Sequence, residues 1–350
     1  MHNLLPLRGT EVRDASQWSA YLNDALERLG PDTDVLIAQH HWPTWGRARV
    51  ARTLANQRDL YKYIHDQSVR LMNHGYTPAE ISEALVLPPA LATDWSARGY
   101  YGTLSHNAKA VYQKYLGWYD GNPANLNPLP APVGAKKYVE YMGGAAVAIA
   151  RARVDYARGE FRWVAEVMRH VVYADPTNVE ARALAADAFE QLGYAAESAT
   201  WRNAYLLGAQ ELRQGPPAAR VATLDPEMVQ AMPFGAVFDV LGTHVNGPRA
   251  WTREVVVNWS LTDTGEQAAV TLRHGTLTRV LGKRAAGAAA TVTLTRATFN
   301  AIVLGRQTVA GAVTSGAAQI AGDATAAALL FEVLDRFDAG FAIVEPRRLQ

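Results

Sequence analysis

The stretch VLIAQHHWPTWG, residues 35–46, decides how the first third of the chain is read. The apolar residues Val35 to Ala38 run into Gln39 and the adjacent His40 and His41, with Trp42-Pro43 and Gly46 following. A short apolar run bounded by turn residues reads as a buried strand that stops at a polar turn. Imidazoles at a strand end that opens on a cleft serve as metal ligands or bases, although a metal site needs several ligands. Successive strand residues face opposite ways, so at most one of His40 and His41 enters a shared cleft. Hydrogen-bonded structural use is the alternative for each.

Outward from this strand the pattern is helical. Asp14 caps a helix through ASQWSAYLNDALERL that Gly30-Pro31 ends, and a long helix is expected from about Gly46 to Asn73 with Gly75 as its C-terminal cap. Thr77-Pro78-Ala79-Glu80 has capping-box spacing with proline at the first helical position, and Pro88-Pro89 stops that helix. A further helix starts near Ser105. Residues 119–134, rich in Pro, Asn and Gly, read as a linker or extended arm.

Beyond this arm the chain is helical in pairs. Gly159 and Gly193 lie 34 residues apart, the period of tetratricopeptide helix pairs, and Asp175-Pro176 marks a turn between helices. The segment reads as a compact helical module rather than an open solenoid, and RQGPPAAR, residues 213–220, ends it. TREVVVNWSLTD, QAAVTLRHGTLTRVLG and AAATVTLT then alternate with period two, predicting an antiparallel sheet with one buried face. DPEMVQAM, RATFNAIVLG and DATAAALLFEVLDRF supply three helices around it. The fold class is thus multidomain: α/β, then α, then α+β.

Bulk composition narrows the function. The 350 residues are 49% hydrophobic and 19% charged, enough for two or three domains with their own cores. Lys+Arg 34 against Asp+Glu 33 leaves a net charge of +1, which gives no electrostatic footprint for nucleic acid or an anionic membrane. With no cysteine, disulfide frameworks, thiolate zinc sites and cysteine nucleophiles are excluded, while the redox compartment stays undetermined. No apolar run is long enough for a spanning helix, and MHNLLPLRGTEVRD lacks the features of a signal peptide. Walker, dinucleotide-binding and Gly-x-Ser-x-Gly motifs are missing. A metal-assisted or a binding role remains.

No two of the nine histidines have the i, i+4 spacing of a helical zinc site, and no His-x-His-x-Asp-His occurs. Arg8, after the apolar NLLPL, suits a guanidinium fork for sulfate, phosphate or carboxylate; a surface ion pair with Glu11 or Asp14 is the alternative. Tyr100, Tyr101, Tyr112, Tyr115, Trp118 and Tyr119 line either a pocket or a core and interface.

HNLLPLRGTEVRDA, HHWPTWG, NHGYTPAEI, GYYGTLSHNAKAVYQKYLGWYDGNPANLNPLP and KKYVEYMGGA together resemble the class III alkylsulfatases, zinc enzymes of metallo-β-lactamase type. The likeness runs through residues 157–213, which resemble that family's dimerisation domain, and from about 221 its sterol-carrier-like domain. It implies the C-terminal part of a metallo-β-lactamase-like catalytic domain over 1–120, a TPR-like helical dimerisation domain over 121–218, and a sterol-carrier-like α+β domain over 219–350. It also implies a bacterial, detergent-degrading hydrolase that acts on alkyl sulfate esters as a homodimer with a zinc pair. His40 then corresponds to a zinc ligand, Asn3, Arg8 and Tyr112 to sulfate contacts, and His2 to a proton donor toward the leaving sulfate.

The family's His-x-His-x-Asp-His segment and two zinc-binding glutamates lie upstream of the residue matching Arg8. The chain is therefore expected to be a truncated form that binds catalytic zinc weakly and is inactive alone, with any export signal outside it. The alternative expectation is a noncatalytic module for dimerisation and amphiphile binding.

Overall fold

The computed structural model describes residues 1–216, 225–337 and 339–347. Two compact units form, one from residues 1–216 with the tail that begins at Ala342, the other from the chain between them. The expected domain limits at 218 and 219 lie outside the described residues, as do residues 217–220 of RQGPPAAR.

The first unit opens with α1 (Ala15–Leu29), whose N-cap Asp14 accepts from the Gln17 amide. The strand β1 (Val35–Ala38) is where the apolar run places it. The residues expected to form a polar turn instead make a second strand, β2 (His41–Trp45), antiparallel to β1 with Val35 opposite Trp45 and Ala38 opposite His41. Trp42, Thr44 and Trp45 favour extended backbone, and Pro43 is tolerated because each strand of a two-stranded ribbon is an edge. Nor is β1 buried: Ile37 is 75% exposed, and on β2 Trp42 is 74% exposed. The apolar run forecast burial, yet nothing covers the ribbon's outer face among the described residues.

α2 (Arg47–Asn73) follows from Gly46, and Gly75 takes φ +82° just past its end, the left-handed conformation that glycine adopts freely. Thr77 and Glu80 make the reciprocal capping box at the start of α3 (Pro78–Ala84). A single turn, α4 (Pro89–Ala92), leads to α5 (Leu104–Leu116). Leu4, Leu60, Tyr61, Ile64 and Val111 form the core here, with Trp18 stacked on Tyr61 at 4.5 Å.

The helical module comprises α6 (Ala131–Tyr141), α7 (Ala145–Ala157), α8 (Phe161–Ala174), α9 (Val179–Ala195) and α10 (Ala199–Gln214). The expected arm therefore ends at Pro130, since prolines are accepted in a helix's first turn. Gly159 and Gly193 are not equivalent positions. Gly159 turns the chain between α7 and α8 with φ +81°, whereas Gly193 lies inside α9, buried against Leu206. The tail returns to this module, where Glu211, buried on α10, accepts from the Ile343 and Val344 amides at 2.7 and 2.9 Å. The Tyr173 hydroxyl donates to the Ile343 carbonyl at 2.9 Å, and Arg182 pairs with Glu345.

The second unit holds α11 (Pro226–Ala231), α12 (Phe234–His244) and α13 (Gly247–Ala250), then β3 (Val255–Leu261), β4 (Gln267–Arg273), β5 (Thr276–Leu281) and β6 (Ala290–Leu294). α14 (Arg296–Val303), α15 (Val309–Thr314), β7 (Ala318–Gly322) and α16 (Ala324–Glu332) complete it. The sheet order is β5-β4-β3-β6-β7, and β6 runs parallel to β3, so the sheet is mixed rather than antiparallel. Alternation specifies which residues face the core but not which neighbour a strand selects, and β7 was too short and mixed to register as a strand. Trp259 fills the core centre, edge-to-face with Phe299 at 5.5 Å.

Glu211→Ala removes a buried acceptor shared by two amides of the tail and should cost the first unit on the order of 2 kcal/mol. Urea unfolding, with proteolysis of residues 342–347 as a local readout, should show this, and Glu211→Gln should lose less.

Candidate functional site

The cleft is built from residues 1–2, Trp18 and Leu22 on α1, the β1–β2 hairpin, the stretch of α2 from Thr53 to Tyr61 and the loop from Ser96 to Tyr101. The extended start is held by Asn107 on α5, a fully buried side chain used at both ends. Its Oδ1 accepts from the Leu4 amide at 2.9 Å and its Nδ2 donates to the His2 carbonyl at 2.8 Å. The His2 amide donates to the Tyr61 hydroxyl at 2.7 Å, and Arg13 Nη1 donates to the Asn3 carbonyl at 2.7 Å. These bonds leave the His2 ring facing the hairpin tip.

There His2 and His40 meet, with ring centroids 5.1 Å apart. Tyr101 joins them: its ring lies parallel to His40 at 3.9 Å and 4.7 Å from His2. His41 diverges toward Trp95 at 6.4 Å. The resulting cleft has a volume of about 290 Å³, and its walls include both hairpin histidines, Trp42, Trp18, Leu22 and Leu36. It is an apolar trough with imidazoles at one end. Burial pushes His2 below the ordinary histidine range, opposed by its bond to the Asn3 carbonyl and aided by Arg13 and His40 nearby. Burial lowers His41 as well. His2 therefore favours the neutral form, a base or ligand rather than a cation.

The remaining expected site residues are placed differently. Asn3 is buried beside the cleft, but its Nδ2 turns to Thr200 Oγ1 at 3.5 Å and its Oδ1 has no partner. Arg8 is exposed on a turn, is not part of the cleft wall, and pairs with neither Glu11 nor Asp14 among the described residues. Tyr112 is buried in a separate cluster with Leu71, Ile81, Leu85 and Ala108, its hydroxyl donating to the Tyr119 carbonyl at 3.2 Å. Of the aromatic series, Tyr100 and Tyr101 line the cleft, whereas Tyr115 bonds His65 at 2.7 Å. Sequence reading missed Tyr61 and Asn107, for which SHNAKAV offered no signal beyond a polar residue on an apolar helix face.

Zinc, which the resemblance implies, can be tested against these groups. His2 Nδ1 lies 3.1 Å from the Asn3 carbonyl, and His40 is stacked on Tyr101. Among the described residues no three His, Cys, Asp or Glu side chains converge as a metal site would require. Two imidazoles without a carboxylate do not fit a zinc pair, which needs a full tetrahedral set at each ion.

Comparison with known proteins adds the following. Residues 77–215 match the model of the alkyl sulfatase dimerisation family, and residues 222–346 that of the alkyl sulfatase C-terminal family. An alkyl/aryl-sulfatase of Saccharomyces cerevisiae is 51% identical over 353 residues, covering 99% of this chain and 53% of the yeast protein. A linear primary-alkylsulfatase of a Pseudomonas species is 46% identical, with 99% of this chain and 52% of that protein covered. The solved stereoselective inverting sec-alkylsulfatase from Pseudomonas superposes with a TM-score of 0.96 at 43% identity, over 99% of this chain and 55% of that one. The chain spans about half the length of the curated relatives it matches.

Depressed histidines make the cleft acid-sensitive. Below the ordinary value of 6.5 the unfolded chain binds more protons than the folded one, so stability from His2 and His41 is complete above that value and lost as pH falls through their lowered folded values. Thermal unfolding followed from about pH 7 to about pH 5 should show a falling midpoint, with a shallower fall in His2→Gln/His41→Asn.

Proposed function

This chain belongs to the alkylsulfatase family, whose dimerisation and C-terminal domains it carries, and on that premise we propose that it serves in the hydrolysis of alkyl sulfate esters as one part of an intact enzyme and is inactive by itself. The observation that carries this reading is the junction of His2 and His40 at the end of an apolar aromatic cleft. Such a trough suits an amphiphile, the hydrocarbon tail lying against Trp18, Leu22 and Trp42 and the charged head near the imidazoles. In the same reading residues 1–120 are the C-terminal part of a metallo-β-lactamase-like catalytic domain, and the second unit is sterol-carrier-like and collects amphiphilic substrate. The resemblance would make His40 one zinc ligand, although the described residues do not complete a site for that ion. Asn3, Arg8 and Tyr112 would reach the sulfate only after the rearrangement of side chains that are now turned away from the cleft.

The partner in this proposal is a second copy of the chain. Support comes from the match to a dimerisation family and from exposed apolar residues on and before α6, among them Leu126, Leu129, Tyr138 and Tyr141. No helix among the described residues is long and apolar enough to cross a membrane. A second reading, a noncatalytic module for dimerisation and amphiphile binding, is favoured by one fact: the described residues bring no third metal ligand to His2 and His40.

Three measurements on the 350-residue chain test the proposal. Light scattering after size exclusion should give twice the 38.1 kDa chain mass, and Tyr138→Asp/Tyr141→Asp should shift it toward the monomer. Submicellar dodecyl sulfate should bind by calorimetry, with Trp42→Ala weakening it by roughly tenfold. Zinc retained after dialysis should stay well below stoichiometric, with alcohol release from dodecyl sulfate at background. Tightly held stoichiometric zinc with chelator-sensitive turnover would overturn the claim that these residues do not complete the metal site.

A further inference from the structure

The turn into α10 touches the loop that carries Tyr101 directly and the start of the chain through His106. Ser198, buried, and Thr200, half-buried, each donate a hydroxyl to the Tyr101 carbonyl, at 2.7 and 3.0 Å. One residue earlier, the Tyr100 carbonyl accepts from the Ala199 amide at 2.9 Å, and Arg98 Nε donates to Glu197 at 2.9 Å. On the other side, Trp201 Nε1 donates to His106 Nδ1 at 3.3 Å, and His106 Nε2 donates to the Leu5 carbonyl. One tautomer of His106 satisfies both bonds. The first turn of α10 is thus joined to residues 98–101 and, through His106, to residue 5.

Tyr101 is also confined from the opposite side. A Cβ at Gly102 would stand 2.5 Å from the His2 carbonyl carbon, so only glycine lets the loop lie against residue 2. His40, by contrast, is exposed at the tip of a ribbon with little packed behind it. A parallel ring contact is a weak interaction, which orders His40 only if its partner ring is already fixed. The fixing comes from the backbone of Tyr101, whose carbonyl is held by two hydroxyls of the helical module.

We propose that Ser198 and Thr200 are positioning residues: their hydroxyls hold the Tyr101 ring parallel to His40, so that α10 sets the geometry of the imidazoles in the cleft. Neither touches the cleft itself. They act through the Tyr101 carbonyl, and the first turn of α10 thereby governs the candidate site. The link to ester hydrolysis rests on the reading of the cleft proposed above; the ring geometry does not.

Histidine-labelled full-length chain, observed by NMR without ligand, tests the proposal. Tyr101→Leu marks where the His40 ring resonances lie once the stack is gone. Ser198→Ala/Thr200→Val should move them most of the way to that position, with helical content by circular dichroism retained. Thr200→Ser, which restores the hydroxyl, should leave them at the wild-type position. If the double variant does not fold, Thr200→Val alone, which keeps the Ser198 cap of α10, is decisive. Resonances that stay at the wild-type position without the hydroxyls, or that move as far in Thr200→Ser as in Thr200→Val, would overturn it. Because no ligand is present, the result is decided separately from whether the cleft accepts an alkyl sulfate.

Discussion

Everything at the cleft depends on one buried amide. Asn107 sits on α5 without solvent contact and answers both the Leu4 amide and the His2 carbonyl, as a neighbouring strand would. Without it, two backbone groups and the side chain itself would be buried unpaired, at a cost of about 1–3 kcal/mol for each. The bond pair fixes residues 2–4 in extended form, so Leu4 enters the core while the side chain of His2 faces the hairpin. Core packing and site geometry therefore share a single anchor.

The character of the site follows from how unevenly its parts are supported. His2 is tied through its backbone to α2 and α5, and Tyr101 through its carbonyl to α10, so both are carried by helices. His40 rides on a two-stranded ribbon whose outer face carries exposed Ile37. Two-stranded ribbons are marginal alone, so this one draws its order from α2 and from the ring of Tyr101. The imidazoles meet, and among the described residues no third His, Cys, Asp or Glu side chain joins them as a metal site would require.

Much of the helical framework was legible because its signals are local. Asp14, the Thr77–Glu80 capping box and Gly75 mark their helix ends by hydrogen bonds or backbone dihedrals that span a few residues. Where reading failed, the deciding contact was distant. The second strand of the hairpin was hidden in a histidine-tryptophan-proline segment, and β6 chose the far side of β3. The helical period of 34 joined two glycines that occupy unlike places in the helix pairs.

Sequence alone determined the family, the division into a helical first part, a helical module and an α+β part, and the lack of cysteine, while the sheet of the first part is a two-stranded antiparallel ribbon among the described residues rather than the expected α/β arrangement. Composition and short-range periodicity need no third dimension. Tertiary structure decided that His2 and Tyr101 converge on His40 while Arg8 and Tyr112 stand apart, and that Asn107, Ser198 and Thr200 hold the arrangement in place. The physical reason is that these contacts join residues from 38 to 105 positions apart along the chain through single hydrogen bonds or ring contacts, and such pairings leave no periodicity to read.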